Sequence, residues 1–217
     1  MEFKAAIFDF DGTIADSMPM WSDFASRFVT HLGGVPREGL NKLVNAMSVQ
    51  EAEIYLQREY FPHMTLEKII EKTDLYVMER YKKGFAPKEG IENFVKKLSQ
   101  KGVSMAISTA TDREPVSLAL SALGLSDYFK CIVTCTDAGV GKSSSPAVFD
   151  LTLEKIGAKK EDAIIFEDSF YAAKTAKEAG YCVAGIFDEF SSSKKADMQA
   201  ICDYYFDDFY KAEEALL

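Results

Sequence analysis

Histidine is nearly missing: only His31 and His63 occur in 217 residues, both in a stretch patterned as helix. A nucleophile activated by imidazole has little to draw on. Basic residues are outnumbered, 25 Lys and Arg against 34 Asp and Glu, for a formal net charge of −9. Without surplus positive charge to neutralise a polyphosphate backbone, nucleic acid is excluded as a main partner. An anionic substrate must instead be attracted locally, by a metal or a few placed cations. No uninterrupted apolar run reaches the length of a membrane span, and Met1-Glu2-Phe3-Lys4 carries no signal-peptide pattern. A cytoplasmic protein that does not engage a membrane is therefore expected. Cys131, Cys135, Cys182 and Cys202 lack the Cys-x-x-Cys spacing and paired histidines of a zinc site, and are read as buried thiols. What is plentiful is apolar: 47% of the chain, enough for one substantial core and a second small lobe.

The apolar run Ala5-Ala6-Ile7-Phe8 reads as a parallel strand buried on both faces, ending in Asp9-Phe10-Asp11-Gly12-Thr13. Trp21, Phe24, Ala25, Phe28 and Leu32 then recur at helical spacing until Gly33-Gly34. Leu40, Leu43, Val44 and Met47 continue the helical pattern, and Ser48 with Glu51 forms a capping box for a helix to about Tyr60. Phe61-Pro62 breaks it, and Thr65 caps a further helix with Leu66, Ile69, Ile70, Thr73, Val77 and Tyr81 as its inner face. Residues 16–85 are thus expected to be an all-helical lobe inserted after the first strand, its aromatic stripe forming that lobe's own core.

From Pro87 the pattern becomes regular strand and helix alternation, so residues 1–15 and 86–217 are expected to make an α/β unit with a parallel sheet. Strands are predicted at Val103–Ser108, Cys131–Thr134, Ala163–Phe166, Cys182–Ile186 and Tyr204–Phe206, and Ser191-Ser192-Ser193 reads as an exposed loop.

In open parallel sheets ligands collect outside the carboxyl ends of the strands. The polar residues expected there are Asp9 and Asp11, Thr109 with Ala110 beside it, Lys142, and Glu167 with Asp168. Strand alternation sends Asp9 and Asp11 to the same side. As mere turn formers they would not need the first acid at a buried strand end, where an unpaired charge is costly. Hard carboxylate oxygens without imidazole or thiolate suit Mg²⁺. A lysine and a hydroxyl beside them fit a phosphoryl group, whose oxygens the cations neutralise and the hydroxyl positions. An aspartate is ionised near neutrality and needs no base to act as a nucleophile. A second carboxyl two residues on can protonate the leaving oxygen and later activate water. Blander readings stand beside these: Thr109 as a helix N-cap, a task Thr111 or Asp112 could share, Lys142 as a solvated loop lysine, and Glu167-Asp168 as an acidic helix start.

With Asp9-Phe10-Asp11-Gly12-Thr13, Thr109, Lys142 and Glu167-Asp168 in order at strand ends, the sequence resembles the haloacid dehalogenase superfamily over essentially the whole chain. It is most similar to the group containing phosphoglycolate phosphatase-like enzymes and β-phosphoglucomutase. The resemblance implies a three-layer Rossmann-like core with an inserted helical cap. It also implies Mg²⁺-dependent hydrolysis of a small phosphorylated metabolite through an aspartyl phosphate. By that pattern Asp9 is nucleophile and metal ligand, and Asp11 is acid/base with its backbone carbonyl on the metal. Thr109, Ala110 and Lys142 take the phosphate, while Glu167 and Asp168 complete the metal site.

Two departures accompany the resemblance. Lys142 stands four residues before Pro146 where the family usually has three, so the loop must bulge or the lysine enters at a shifted angle. The histidine that sugar-phosphate mutases of the group place soon after their Asp-Ser/Thr pair is replaced by Trp21, which follows Asp16-Ser17-Met18-Pro19-Met20. Met20, Trp21 and Met47 are read as core of the helical lobe, with the substrate side as their other possible place. Hydrolysis by a monomer is the expectation. Phosphoryl transfer within a sugar phosphate and a noncatalytic phospho-aspartate signalling module are its alternatives.

Overall fold

The computed structural model describes residues 3–45, 47 and 49–217, so the capping box expected at Ser48 lies outside the described residues. In chain order the elements are β1 (Ala5–Phe8), α1 (Met18–Ser22), α2 (Phe24–His31), α3 (Leu40–Val44), α4 (Val49–Tyr60), α5 (Leu66–Lys82) and α6 (Ile91–Gln100). They continue with β2 (Ser104–Thr109), α7 (Arg113–Ala122), β3 (Phe129–Thr134), α8 (Cys135–Ala138), α9 (Ala147–Ile156), β4 (Ala163–Glu167) and α10 (Phe170–Glu178). β5 (Cys182–Ile186), α11 (Lys195–Ile201), β6 (Tyr204–Phe206) and α12 (Phe209–Leu216) complete the chain. The chain divides into two compact units, Met1–Ser17 with Gly84–Leu217, and Met18–Lys83.

The first unit is a six-stranded parallel sheet in the order β3-β2-β1-β4-β5-β6, with helices on both faces. β1 lies inside it because its four residues are all buried and apolar. It pairs Ala5 with Ser104 of β2 on one side and with Ala163 of β4 on the other. Alternation divides the side chains between the faces. Ala5 and Ile7 join Val148, Phe149 and Leu153 of α9 and Ala173 and Ala176 of α10 on one. Phe8 turns to the other, stacking on Phe166 at 4.6 Å and meeting Phe94 of α6 and Phe209 of α12. Thr109 and Glu167 are the last residues of their strands, where the sequence reading ended the strands one residue earlier. Ser191-Ser192-Ser193 belongs to a short 3₁₀ turn, Glu189–Lys194, rather than to an irregular loop. All four cysteines are free and half-buried rather than fully buried, and partial desolvation pushes the Cys182 thiol up to about 11, far from a reactive thiolate.

In the second unit, Ala25, Phe28, Val29, Leu40, Val44, Leu56, Phe61, Ile69 and Tyr76 form a separate core. The single helix expected over Trp21 to Leu32 is broken at Asp23 into α1 and α2. Thr65 caps α5 as expected, its side chain accepting from the Lys68 amide. The buried face of α5 is Ile69, Thr73, Tyr76 and Tyr81; Ile70 is exposed and Tyr76 takes the inner place assigned to Val77. Met20 is buried, and Trp21 stacks on Phe24 while its indole donates to the Tyr81 hydroxyl at 3.2 Å, so both contribute to this unit's packing. No helix among the described residues is long and apolar enough to cross a membrane.

Candidate active site

β1 and β4 run side by side with Phe8 abreast of Phe166, so Asp9 leaves one strand where Glu167 and Asp168 leave the next. The Asp9 amide donates to the Phe166 carbonyl at 2.9 Å, which holds Asp9 in line beyond the strand. One carboxylate oxygen from each of Asp9, Glu167 and Asp168 lies within 4.8 Å of the others, and all three residues are buried. A buried charge must be paired or bind a metal. Among the described residues one ammonium serves the cluster: Lys142 Nζ lies 2.5 Å from Asp9 Oδ1 and 3.0 Å from Glu167 Oε2.

The electrostatics follow from this crowding. Burial, then the charge of Glu167, push Asp9 up to about 8 against the pull of Lys142. Burial also raises Glu167, which accepts from the Ser169 amide at 3.2 Å, while burial with Glu167 and Asp9 raises Asp168 well above the usual carboxylate range. Burial works against a charged Lys142, yet Asp9 and Glu167 together outweigh it and hold the ammonium protonated. Once ionised, as cation ligands must be, three carboxylates against one ammonium leave a deficit of two positive charges, in a donor set made only of oxygens. Such a set fits a hard divalent cation such as Mg²⁺.

Asp11 stands apart from this trio. The turn after β1 is closed by Gly12, at φ +81° in the left-handed region that glycine enters without strain, and the Gly12 amide donates to the Ala15 carbonyl. Around that turn the Ser17 hydroxyl donates to Asp11 Oδ1 at 2.6 Å and the Thr111 hydroxyl to Oδ2 at 2.7 Å. Neither hydroxyl was assigned this role from sequence. The only signal for Thr111 was its place two residues past the end of β2, and for Ser17 its place beside Asp16 at the start of the expected helical lobe. Thr109 is fully buried and its hydroxyl accepts from the Thr111 amide at 3.1 Å, so it braces the turn that presents Thr111. Ala110 is exposed on that same turn.

The extra residue before Pro146 is absorbed by a tight turn in which Ser144 and Ser145 both donate to the Gly141 carbonyl, at 3.0 and 3.2 Å. Thr175 of α10 anchors the turn by donating to the Ser143 carbonyl at 3.0 Å. Upstream, Thr134 and Asp137 form a capping box over α8. The loop therefore bulges, and Lys142 still reaches the cluster.

Residues 6–186 match the haloacid dehalogenase-like hydrolase family. The chain is 28% identical over 190 residues to a phosphorylated carbohydrates phosphatase of Thermotoga maritima, covering 82% of each protein. It is 27% identical over 184 residues to pyrophosphatase PpaX of Halalkalibacterium halodurans, covering 83% of this chain and 81% of that one. Its fold is similar to that of CbbY from Rhodobacter sphaeroides in complex with phosphate, with a TM-score of 0.81, 20% identity and 95% of each chain covered.

Proposed function

The chain belongs to the haloacid dehalogenase-like hydrolase family, and from that premise we propose that it is a phosphoric monoester hydrolase that cleaves a small phosphorylated metabolite through an aspartyl phosphate on Asp9. The observation that carries this reading is the convergence of Asp9, Glu167 and Asp168 on one buried point with Lys142 against the first two. Asp9, Glu167 and Asp168, with the Asp11 backbone carbonyl, would hold Mg²⁺. When bound, that ion supplies the positive charge that lowers repulsion between carboxylate and phosphate.

The remaining work falls to side chains. An Asp9 oxygen forms the bond to phosphorus as the bond to the leaving oxygen breaks, and Asp11 gives that oxygen its proton. Asp11, now a carboxylate, takes a proton from water whose oxygen attacks phosphorus, freeing phosphate and restoring Asp9. Lys142 fixes the nucleophile and offers its charge to the phosphoryl oxygens. Thr109 and Ala110 line the phosphate side. Residues 1–15 and 86–217 are proposed as the catalytic core, and the helical residues 16–85 as the cap that selects the substrate.

Asp9→Asn is nearly isosteric and cannot attack phosphorus. Its phosphate release from p-nitrophenyl phosphate is expected to fall by at least about a thousandfold with an unchanged circular dichroism spectrum. Wild-type turnover in that variant would overturn the nucleophile. Stripping divalent cations with EDTA should silence the enzyme reversibly. A panel of phosphorylated carbohydrates and small phosphate esters, scored for released phosphate, identifies the substrate. The kinship with a phosphorylated carbohydrates phosphatase makes the sugar phosphates its first members.

A further inference from the structure

A fourth buried carboxylate stands at the same end of the sheet and has no part in the mechanism above. Glu167 of β4 is abreast of Gly185 of β5, so Asp168 and Asp188 leave neighbouring strands close to their carboxyl ends. Asp188 is 2% exposed. One of its oxygens accepts from the Phe190 amide at 2.9 Å, and the other lies 3.0 Å from Lys88 Nζ, whose side chain is itself only 16% exposed. Lys88 also donates to the Phe187 carbonyl at 2.9 Å, and its amide donates to the Ile14 carbonyl at 2.9 Å, in the turn that follows Asp11. The lysine thus ties the segment after β1 to the end of β5.

The charges at this end explain why a lysine is needed there. In the ionised form that would hold a cation, Asp9, Glu167 and Asp168 against Lys142 leave two negative charges, which suits one divalent ion; an unpaired Asp188 would make it three.

We infer that Lys88 and Asp188 form a neutral pair that sets the charge felt by the cation site, with Lys88 a positioning residue that acts through Asp188. The inference rests on the reading of Asp9, Glu167 and Asp168 as cation ligands. If the pair is electrostatic, removing either member alone shifts affinity in a direction given by the charge left behind, and removing both restores it. A mere brace would lose affinity either way.

Titration calorimetry with Mg²⁺ on the cation-free protein separates these cases without reference to turnover. Asp188→Asn strands Lys88 as a bare positive charge and should weaken Mg²⁺ binding on the order of tenfold. Lys88→Gln leaves Asp188 as a bare negative charge and should bind Mg²⁺ more tightly than wild type. The double variant Lys88→Gln/Asp188→Asn should return to within about twofold of wild type. Lys88→Arg keeps the charge and should match wild type, which preserves the test if Lys88→Gln folds poorly. Weakening by both single variants, or no rescue in the double variant, overturns the inference. Asp168→Asn is the control for its premise: wild-type Mg²⁺ affinity there would sink the ligand reading itself. Loss of affinity in Asp168→Asn together with an unchanged Asp188→Asn would sink only the pair.

Discussion

Ser17 and Thr111 each hold one oxygen of Asp11, at 2.6 and 2.7 Å, so the carboxyl is fixed at both ends rather than free to turn toward Lys142 or the buried trio. Removing either hydroxyl leaves Asp11, the proposed proton donor, present but loosely aimed. Ser17→Ala and Thr111→Val should each lower kcat by about tenfold with little change in KM, because the loss falls on proton transfer rather than on binding. The pair Thr111 and Asp11 lies 100 residues apart in the chain, which is why no local pattern announced it. Asp9 makes a different point. In the cation-free protein it holds its proton up to about 8, whereas an ordinary aspartate loses it near 3.8. Between those values the folded state binds more protons than the unfolded one, so stability falls as pH rises through that window and levels off above it. Melting temperature in EDTA should therefore decline from about pH 5 to about pH 8. Saturating Mg²⁺ should flatten the decline and raise Tm most at the alkaline end. A rising or flat profile in EDTA would contradict the raised carboxyl.

At the level of elements, strands were the most legible feature because each is a short apolar run stopped by polar or glycine residues. β5 and β6 fall on the ranges expected, whereas β2 and β4 extend one residue further because Thr109 and Glu167 still pair within the sheet. Helix interiors were read less well. The break at Asp23 is marked only by a residue type that favours helix N-caps, here without a side-chain cap hydrogen bond, and the choice between Ile70 or Val77 and Tyr76 on α5 depends on the aromatic partners Phe24, Phe28 and His31. The bulge before Pro146 was legible as a need, and the double donation to Gly141 is its solution. A junction that no pattern signalled is Gly90, which opens α6 at φ +82°, where a β-carbon would lie 2.8 Å from the Tyr210 amide nitrogen. Gly90→Ala should cost about 1–3 kcal/mol in urea unfolding, through backbone strain at the seam of α6 and α12, and leave kcat unchanged. Loss of activity without loss of stability would mean that the seam does more than pack.

On the scale of the whole molecule, the two compact units carry separate cores and a single convenient reporter. The one tryptophan, Trp21, lies in the helical unit, and the carboxylate cluster lies in the α/β unit. Calorimetry should show Mg²⁺ raising the transition of the α/β unit, while tryptophan fluorescence follows a transition that the ion leaves in place. Coincident transitions that shift together would show that the units melt as one. The central position of β1 has a further consequence during synthesis. Ala5 must wait for Ser104 on one flank and Ala163 on the other. At ~5–20 residues per second the ribosome needs on the order of ten to thirty seconds to deliver both neighbours. Through that interval the helical insertion can already be folded while β1, which leads into Asp9, remains an open edge. A nascent chain stalled before β4 is accordingly the form most exposed to aggregation and in need of a chaperone.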